Sequence, residues 1–390
     1  MSSPRLILHL DLDAFFCAVE EIKDPQLCGK AFAVGGSPSG RGVVTSCSYP
    51  ARKKGVRSAM PAVQALQLCP ELILVSRNHR DYNHYSRLVM DRLKSFTDQV
   101  EQISIDEAFL DITDLGPSPR EFGMTLQSTI QNEIGLPNSI GIASNKLVAK
   151  IATDVGKMAA KGEGPPNAIT IVPPGEERAF LAPLPVDMLW GVGPKTKGRL
   201  AIFDIQTIGD LAVYPEIELA KKFGKHGYEL SQRAQGIDQR GIVTERGVKS
   251  VSNEQTFLHD LGRKSELIEH IKVLSRQVSS RLQKENLRGK TIQIKLRWSD
   301  FTTLTRQTTL SQTTNDFSVI SGTAAELFDQ VWEEGQMVRL IGVGVHNLDT
   351  GAHQLGLWDT ETQKDLKIQE TLQELQEKYG ENVISRGPNN

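Results

Sequence analysis

Cysteine is scarce in these 390 residues: Cys17, Cys28, Cys47 and Cys69 are the only four, and no two make a CxxC pair. Their crowding into the first fifth of the chain excludes a disulfide framework and offers no zinc ligand set. Reduced thiols in a cytoplasmic protein are the simpler expectation. Long apolar runs are missing too, and none approaches the ~20 residues a membrane span needs. Met1-Ser-Ser-Pro-Arg5 leads straight into an apolar strand with no signal-peptide core, so no membrane association is expected. A dominant charge is also lacking: 45 Lys and Arg stand against 47 Asp and Glu, a net charge of -2. The sum therefore announces no polyanion binder, and only the distribution of charge carries information.

That distribution is uneven. Arg246 to Arg297 holds 12 basic against 5 acidic residues, an excess of seven, whereas Asp349 to Asn390 holds 4 against 8. A lone basic stretch is usually a solvated face, but an excess of this size favours a phosphate-contacting surface. The length predicts two to four domains, and 39% hydrophobic with 24% charged residues is ordinary for globular domains with sizeable cores.

The richest stretch is Gln102-Ile-Ser-Ile-Asp-Glu-Ala-Phe-Leu-Asp111. Its apolar alternation predicts a strand that turns Asp106 and Glu107 out at a bend. Adjacent carboxylates repel, and a divalent cation with a preference for hard oxygen ligands removes that cost. Far upstream, Arg5-Leu-Ile-Leu-His-Leu-Asp-Leu-Asp13 reads as a second strand, with Asp11 and Asp13 on one face by the two-residue repeat. Either carboxylate pair alone is usually a solvated turn or strand end. If the strands pair, Asp11, Asp106 and Glu107 converge in a way that suits two-metal phosphoryl transfer.

Further along, Val19 and Ile22 predict a helix from Cys17, with Phe15 as core and Phe16 as a wall beside the site. A small α/β block follows over residues 17–76, with strands at Ala31–Val34 and Gly42–Ser46. Tyr49 and Arg52 then fall three apart, on one helix face, where a guanidinium and a phenol suit phosphate oxygens. Tyr82, Tyr85, Leu88, Val89 and Leu93 predict an amphipathic helix, and Gly123–Ile134 a second. Ser139–Ala143 reads as a strand, and Asn145 as the N-cap of a helix to Asp154, with Lys157 just beyond. After a Pro-Pro-Gly linker at 173–175, Gly191-Val-Gly193 with Pro194 reads as a hairpin between two helices. Its glycines let backbone N–H groups meet a phosphate, and Lys195 and Lys197 flank it. Its plain alternative is a tight turn between packed helices. Phe223-Gly-Lys-His-Gly227 is a weaker second copy. Beyond a polar linker at 241–247, the basic segment predicts an α+β domain. In it a helix at Ser265–Glu285 precedes a strand at Thr291–Trp298, whose Gln293, Lys295 and Arg297 share a face, with Arg339–Val345 as its partner.

Four motifs in order resemble the Y-family of translesion DNA polymerases, nearest the bacterial DNA polymerase IV branch. They are Asp11-Leu-Asp-Ala-Phe-Phe16, Ser46-Cys-Ser-Tyr-Pro-Ala-Arg-Lys-Lys-Gly-Val56, Ser104-Ile-Asp-Glu-Ala-Phe-Leu-Asp111 and Gly141-Ile-Ala-Ser-Asn-Lys-Leu-Val-Ala-Lys-Ile-Ala152. The Gly191–Gly193 hairpin and Lys249–Phe257 extend the match to about residue 348. The resemblance implies an α+β, multidomain, right-hand architecture. Its palm is 1–16 plus 77–172, its fingers 17–76, its helical thumb 173–240 and its little finger 248–348, with an acidic tail at 349–390. It implies that Asp11 and Asp106 hold two Mg²⁺ with help from the Leu12 carbonyl, and that Glu107 completes the metal site; Asp13 matches the motif too, but is assigned a structural role. It also implies that Tyr49, Arg52 and Lys157 contact the incoming deoxynucleoside triphosphate, and that Phe16 blocks a ribose 2′-hydroxyl. Gln354-Leu355-Gly-Leu357-Trp358 resembles the peptide by which such enzymes grip a sliding clamp. Primer-template DNA is the implied partner of a monomer that copies damaged templates with low fidelity and low processivity, without proofreading. Two other readings compete. A palm-type nucleotidyl cyclase has no use for the hairpin or the basic domain. A clamp-recruited DNA-binding scaffold without activity would be expected to lack the carboxylates, and all three are present.

Overall fold

The computed structural model describes residues 5–349 apart from 117, 161, 163 and 246. Contacts divide the chain into two units, with the break between Gly247 and Val248, at the end of the expected 241–247 linker.

The first unit is built on β1 (Ile7–Leu12). Beside it a three-stranded sheet is made of β2 (Phe32–Gly35), β3 (Val44–Cys47) and β4 (Ile73–Ser76). The central sheet is completed by β5 (Val100–Gln102), β6 (Glu107–Asp111), β7 (Asn138–Ala143) and β8 (Ile169–Ile171), in the order β5-β6-β1-β7-β8. Alternation along β1 divides its side chains between two cores. Leu8, Leu10 and Leu12 face helices Phe15–Lys23, His79–Lys94 and Pro119–Ile134, while Ile7 joins a core with Phe109, helix Lys146–Ala159 and the helices of 177–234.

The predicted first strand stops at Leu12, and Phe15 and Phe16 already belong to the helix that follows. Phe15 is buried, as the sequence suggests. Asn145 caps helix Lys146–Ala159 by accepting from Val148 N–H, and the helix runs five residues further than expected, so Lys157 lies inside its last turn. The expected helix before Gly191 is a 3₁₀ turn at Val186–Met188; helix Pro194–Ala201 begins after Gly193. Helices Glu216–Phe223 and Lys225–Ala234 meet at Gly224 (φ +64), which gives the second hairpin the two-helix form.

Gly141 on β7 shows how closely helix 146–159 must approach. A Cβ there would lie 2.1 Å from the Ala149 carbonyl oxygen and 2.6 Å from Thr153 N. Gly141→Ala is therefore expected to push the helix off the sheet and cost about 3 kcal/mol, the upper end for overpacking. Urea denaturation checks it: an unchanged midpoint would mean that the helix yields freely.

The second unit is an antiparallel sheet of β9 (Ser250–Leu261), β10 (Arg288–Trp298), β11 (Thr303–Thr314) and β12 (Val338–Asp349), in the order β11-β10-β12-β9. Helices Lys264–Lys284 and Phe317–Asp329 share its core with Ile292, Ile294 and Leu296. The expected partner of β10 is β12, and Gln293, Lys295 and Arg297 do share the half-exposed face. That face is less basic than its sequence, because Lys295 pairs with Glu254 at 2.7 Å. The segment Gln354–Trp358 and the acidic tail lie outside the described residues.

Candidate active site

Register brings the carboxylates together. Asp11 on β1 stands directly opposite Glu107 on β6, and Leu12 N–H donates to the Asp106 carbonyl at 3.0 Å. Across that pair the Asp11 carboxylate disfavours charge on Glu107. Ser104 shapes the turn that carries the other two. Its hydroxyl donates to Asp106 Oδ1 at 2.6 Å and accepts from Asp106 N–H (3.2 Å) and Glu107 N–H (2.9 Å). Burial raises the Asp106 carboxyl above the usual carboxylate range, with the Asp11 charge adding to it and Ser104 opposing. Burial likewise raises Glu107, against the pull of Lys150.

Asp13 is separate from this group. It is 1% exposed and accepts from Ser139 Oγ (2.9 and 3.0 Å) and Asn167 N–H (3.0 Å), so it ties β1 to the loop before β8.

Helix 146–159 meets the sheet through one face, at spacings of four, three and four residues. Lys146 Nζ lies 2.7 Å from Glu101, Lys150 Nζ 2.7 Å from Glu107, Thr153 Oγ1 2.9 Å from His9 Nδ1, and Lys157 Nζ 2.6 Å from Asp11 and 3.0 Å from Asp13. Burial opposes the Lys157 ammonium, yet Asp11 and Asp13 hold its pKa above the ordinary lysine value. His9 is fully buried and held neutral, first by burial and then by Lys150 and Lys157.

A cavity of about 440 Å³ opens beside the carboxylates, lined among others by Asp11, Leu12, Asp106 and Lys157 and by Phe16, Tyr49 and Arg52. Helix Tyr49–Lys53 starts at a Ser48 cap, and the Arg52 guanidinium stacks 4.9 Å over the Tyr49 ring, the shared helix face that their spacing predicts. Phe16 packs edge-on against Tyr82 at 4.6 Å. Burial raises the Tyr49 phenol, which keeps it a neutral donor. Gly191 (φ +106) and Gly193 form the hairpin that opens helix Pro194–Ala201, where Lys195 is exposed and Lys197 is paired with Asp187 at 2.9 Å.

Among the described residues, no three His, Cys, Asp or Glu side chains close on a common point as they stand. The donor set nevertheless fits a hard divalent cation. It consists of oxygen ligands alone, the Asp11 charge raises both Asp106 and Glu107, and two lysine ammoniums already sit on the Asp11 and Glu107 oxygens.

Residues 10–154 match the impB/mucB/samB family and residues 248–357 that family's C-terminal domain. The DNA polymerase IV of Dehalococcoides mccartyi (strain CBDB1) is 37% identical over 389 residues, covering 99% of this chain and 97% of its own. That of Listeria monocytogenes serotype 4a (strain HCC23) is 39% identical over 351 residues, 89% and 96% of the two chains. A solved chimera of the Y-family polymerases Dbh and Dpo4 superposes with a TM-score of 0.77 at 27% identity, covering 88% of this chain and 98% of its own. The chain belongs to the Y-family of DNA polymerases. DinB of Sulfolobus solfataricus, at 26% identity and a TM-score of 0.58, covers the same shares.

Sequence reading assigned no role to three residues that lie around these carboxylates. Lys150 and Asp154 fall on the helix that carries Lys157, and Ser104 on the carboxylate turn. The spacing Lys146, Lys150, Lys157 is a one-face helical pattern that points at whatever the helix covers. Ser104 carried no signal, since a serine before two acids is common in exposed turns.

Proposed function

We infer that the chain is a template-directed DNA polymerase of the translesion type, adding deoxynucleotides to a primer 3′-hydroxyl with low fidelity and low processivity. The observation that carries this reading is the cavity that the carboxylate strand ends line together with Phe16, Tyr49 and Arg52. On this reading residues 1–16 and 77–172 act as palm, 17–76 as fingers, 173–240 as thumb and 248–348 as little finger. Catalysis requires a divalent metal, and the proposal is two Mg²⁺ held by Asp11, Asp106, Glu107 and the Leu12 carbonyl. When bound, the metal lowers the pKa of the 3′-hydroxyl and neutralises charge on the triphosphate. The chain's own residues supply the positioning. Arg52 and Tyr49 donate to phosphate oxygens, and their mutual stacking fixes the pair before the nucleotide arrives. Lys157 joins them in the same cavity. Ser104 holds Asp106 by a charge-assisted hydrogen bond and so sets the ligand's direction. The Gly191–Gly193 hairpin, with Lys195 and Lys197, contacts DNA backbone without reading sequence. Gln354, Leu355, Leu357 and Trp358 are the proposed clamp anchor of a monomeric, cytoplasmic enzyme. Among the described residues no helix is long and apolar enough to cross a membrane.

Phe16 gives the most selective test. Its ring is braced by Tyr82, which in turn donates to Glu20 at 2.6 Å, so the wall does not swing away. Phe16→Ala is expected to raise ribonucleotide incorporation relative to deoxynucleotide by roughly a hundredfold, a steric discrimination of the size that pocket walls supply. Single-nucleotide incorporation with each sugar measures it, and unchanged sugar selection would remove Phe16 as the gate.

A further inference from the structure

We propose that Lys150 is a positioning residue with two berths, Glu107 and Asp154, and that its transfer from the first to the second frees Glu107 for a cation. The inference rests on the metal-site reading above and concerns how that site is opened.

The Asp11 and Glu107 carboxyls face each other across paired strands, so two like charges share a half-buried edge. Lys150 relieves that repulsion from the Glu107 side, at 2.7 Å and with about a fifth of each side chain exposed. Its anchor point is fixed, because the same helix face is pinned one turn before by Lys146 on Glu101 and one turn after by Thr153 on His9. An ammonium and a divalent cation repel each other on one carboxylate, so the lysine competes with the ion unless it has elsewhere to go.

Asp154 offers such a place. It lies four residues on, one helical turn along the same side, and Lys150 already acts on it electrostatically. The Asp154 carboxyl is half-buried, with burial raising its pKa, and it lines with Lys150 a cavity of about 370 Å³ that runs to Trp190 and Gly191. Partial desolvation of a carboxylate is costly, and receiving the Lys150 ammonium at contact distance offsets part of that cost. One rotamer change of a four-carbon side chain thus trades the Glu107 pair for the Asp154 pair. Loss of the ammonium and loss of its second berth then have opposite consequences for the ion.

The test is Mn²⁺ binding by electron paramagnetic resonance, on the full chain with a dideoxy-terminated primer-template and the next deoxynucleotide, so no turnover is needed. Lys150→Met keeps the stem and removes the charge, and is expected to bind Mn²⁺ roughly tenfold more tightly than wild type. Lys150→Arg keeps a cation and is expected to stay within about twofold of wild type. Asp154→Asn removes the second berth and is expected to weaken binding by roughly fivefold, and by far less when combined with Lys150→Met, because the effect acts through the lysine. Circular dichroism melts confirm that each variant is folded; should Lys150→Met unfold, Lys150→Gln and Asp154→Asn carry the same comparison. Unchanged or weaker binding in Lys150→Met, or an Asp154→Asn effect that persists undiminished in the double variant, would overturn the two-berth role while leaving the metal site in place. Wild-type binding no tighter than that of Asp106→Ala would overturn the metal-site reading and this inference with it.

Discussion

Asp106→Ala is expected to lower primer extension by about 10³-fold or more while leaving affinity for primed DNA within about twofold. The asymmetry follows from what Asp106 touches. Its carboxyl is fixed by Ser104, lines the 440 Å³ cavity and shares its field with Asp11, so on the proposed reading its removal takes away a metal ligand at the reacting centre. A loss of 10³ corresponds to about 4 kcal/mol of transition-state stabilisation. DNA affinity, in contrast, generally comes from phosphate contacts spread over many basic and backbone groups, and the proposed hairpin contacts lie away from Asp106. Parallel rate and filter-binding measurements on wild type and variant check both halves. Loss of DNA binding along with activity would show that the turn also holds the duplex, and the division of labour would be wrong.

Lys146→Ala is expected to destabilise the first unit by about 4 kcal/mol, in the range for stranding one partner of a buried ion pair. Glu101 is fully buried and the Lys146 side chain 4% exposed, and Glu101 also accepts from Val243 N–H at 2.9 Å. Without the ammonium, an uncompensated carboxylate remains inside the sheet edge, and the helix that carries Lys150 and Lys157 loses its first anchor. The double replacement Lys146→Met with Glu101→Leu removes both charges and should recover most of the loss. Chemical denaturation of the three proteins reads it directly. If Lys146→Ala costs under about 1 kcal/mol, water reaches the pair and the anchor role fails.

Much of the fold is legible in the sequence because the strong elements announce themselves locally. The alternation of residues 6–12, the helical spacing of Tyr82, Val89 and Leu93, and Asn145 as an N-cap all map onto the structure. Leu88 belongs to the same expected stripe yet is 41% exposed, since the helix buries a narrower face than its apolar content suggests. Less legible elements carry mixed patterns. β11, with Thr and Gln on both faces, and β9, with Asn253-Glu-Gln-Thr256, hold no apolar alternation and are made strands by pairing with β10 and β12. The site divides in the same way. Asp11, Asp106 and Glu107 stand at strand ends, where short-range pattern reveals them. The lysine face of helix 146–159 gains its meaning only from the sheet beneath it, and contacts as distant along the chain as Lys150 to Glu107 and Lys157 to Asp11 leave no local trace. The glycine at 141 is legible as part of a motif, but its reason, the passage of Ala149 and Thr153 over it, is visible only in three dimensions.

The most direct test of the central claim is extension of a labelled primer on a defined template with Mg²⁺ and the four deoxynucleotides, followed by single-nucleotide reactions in which the template base is varied. The account predicts extension that tracks the template base, stops when the metal is chelated, and continues, with errors, past a damaged template position. A folded protein that binds primed DNA tightly and adds no nucleotide would contradict it, and would return the chain to the reading of a DNA-binding scaffold.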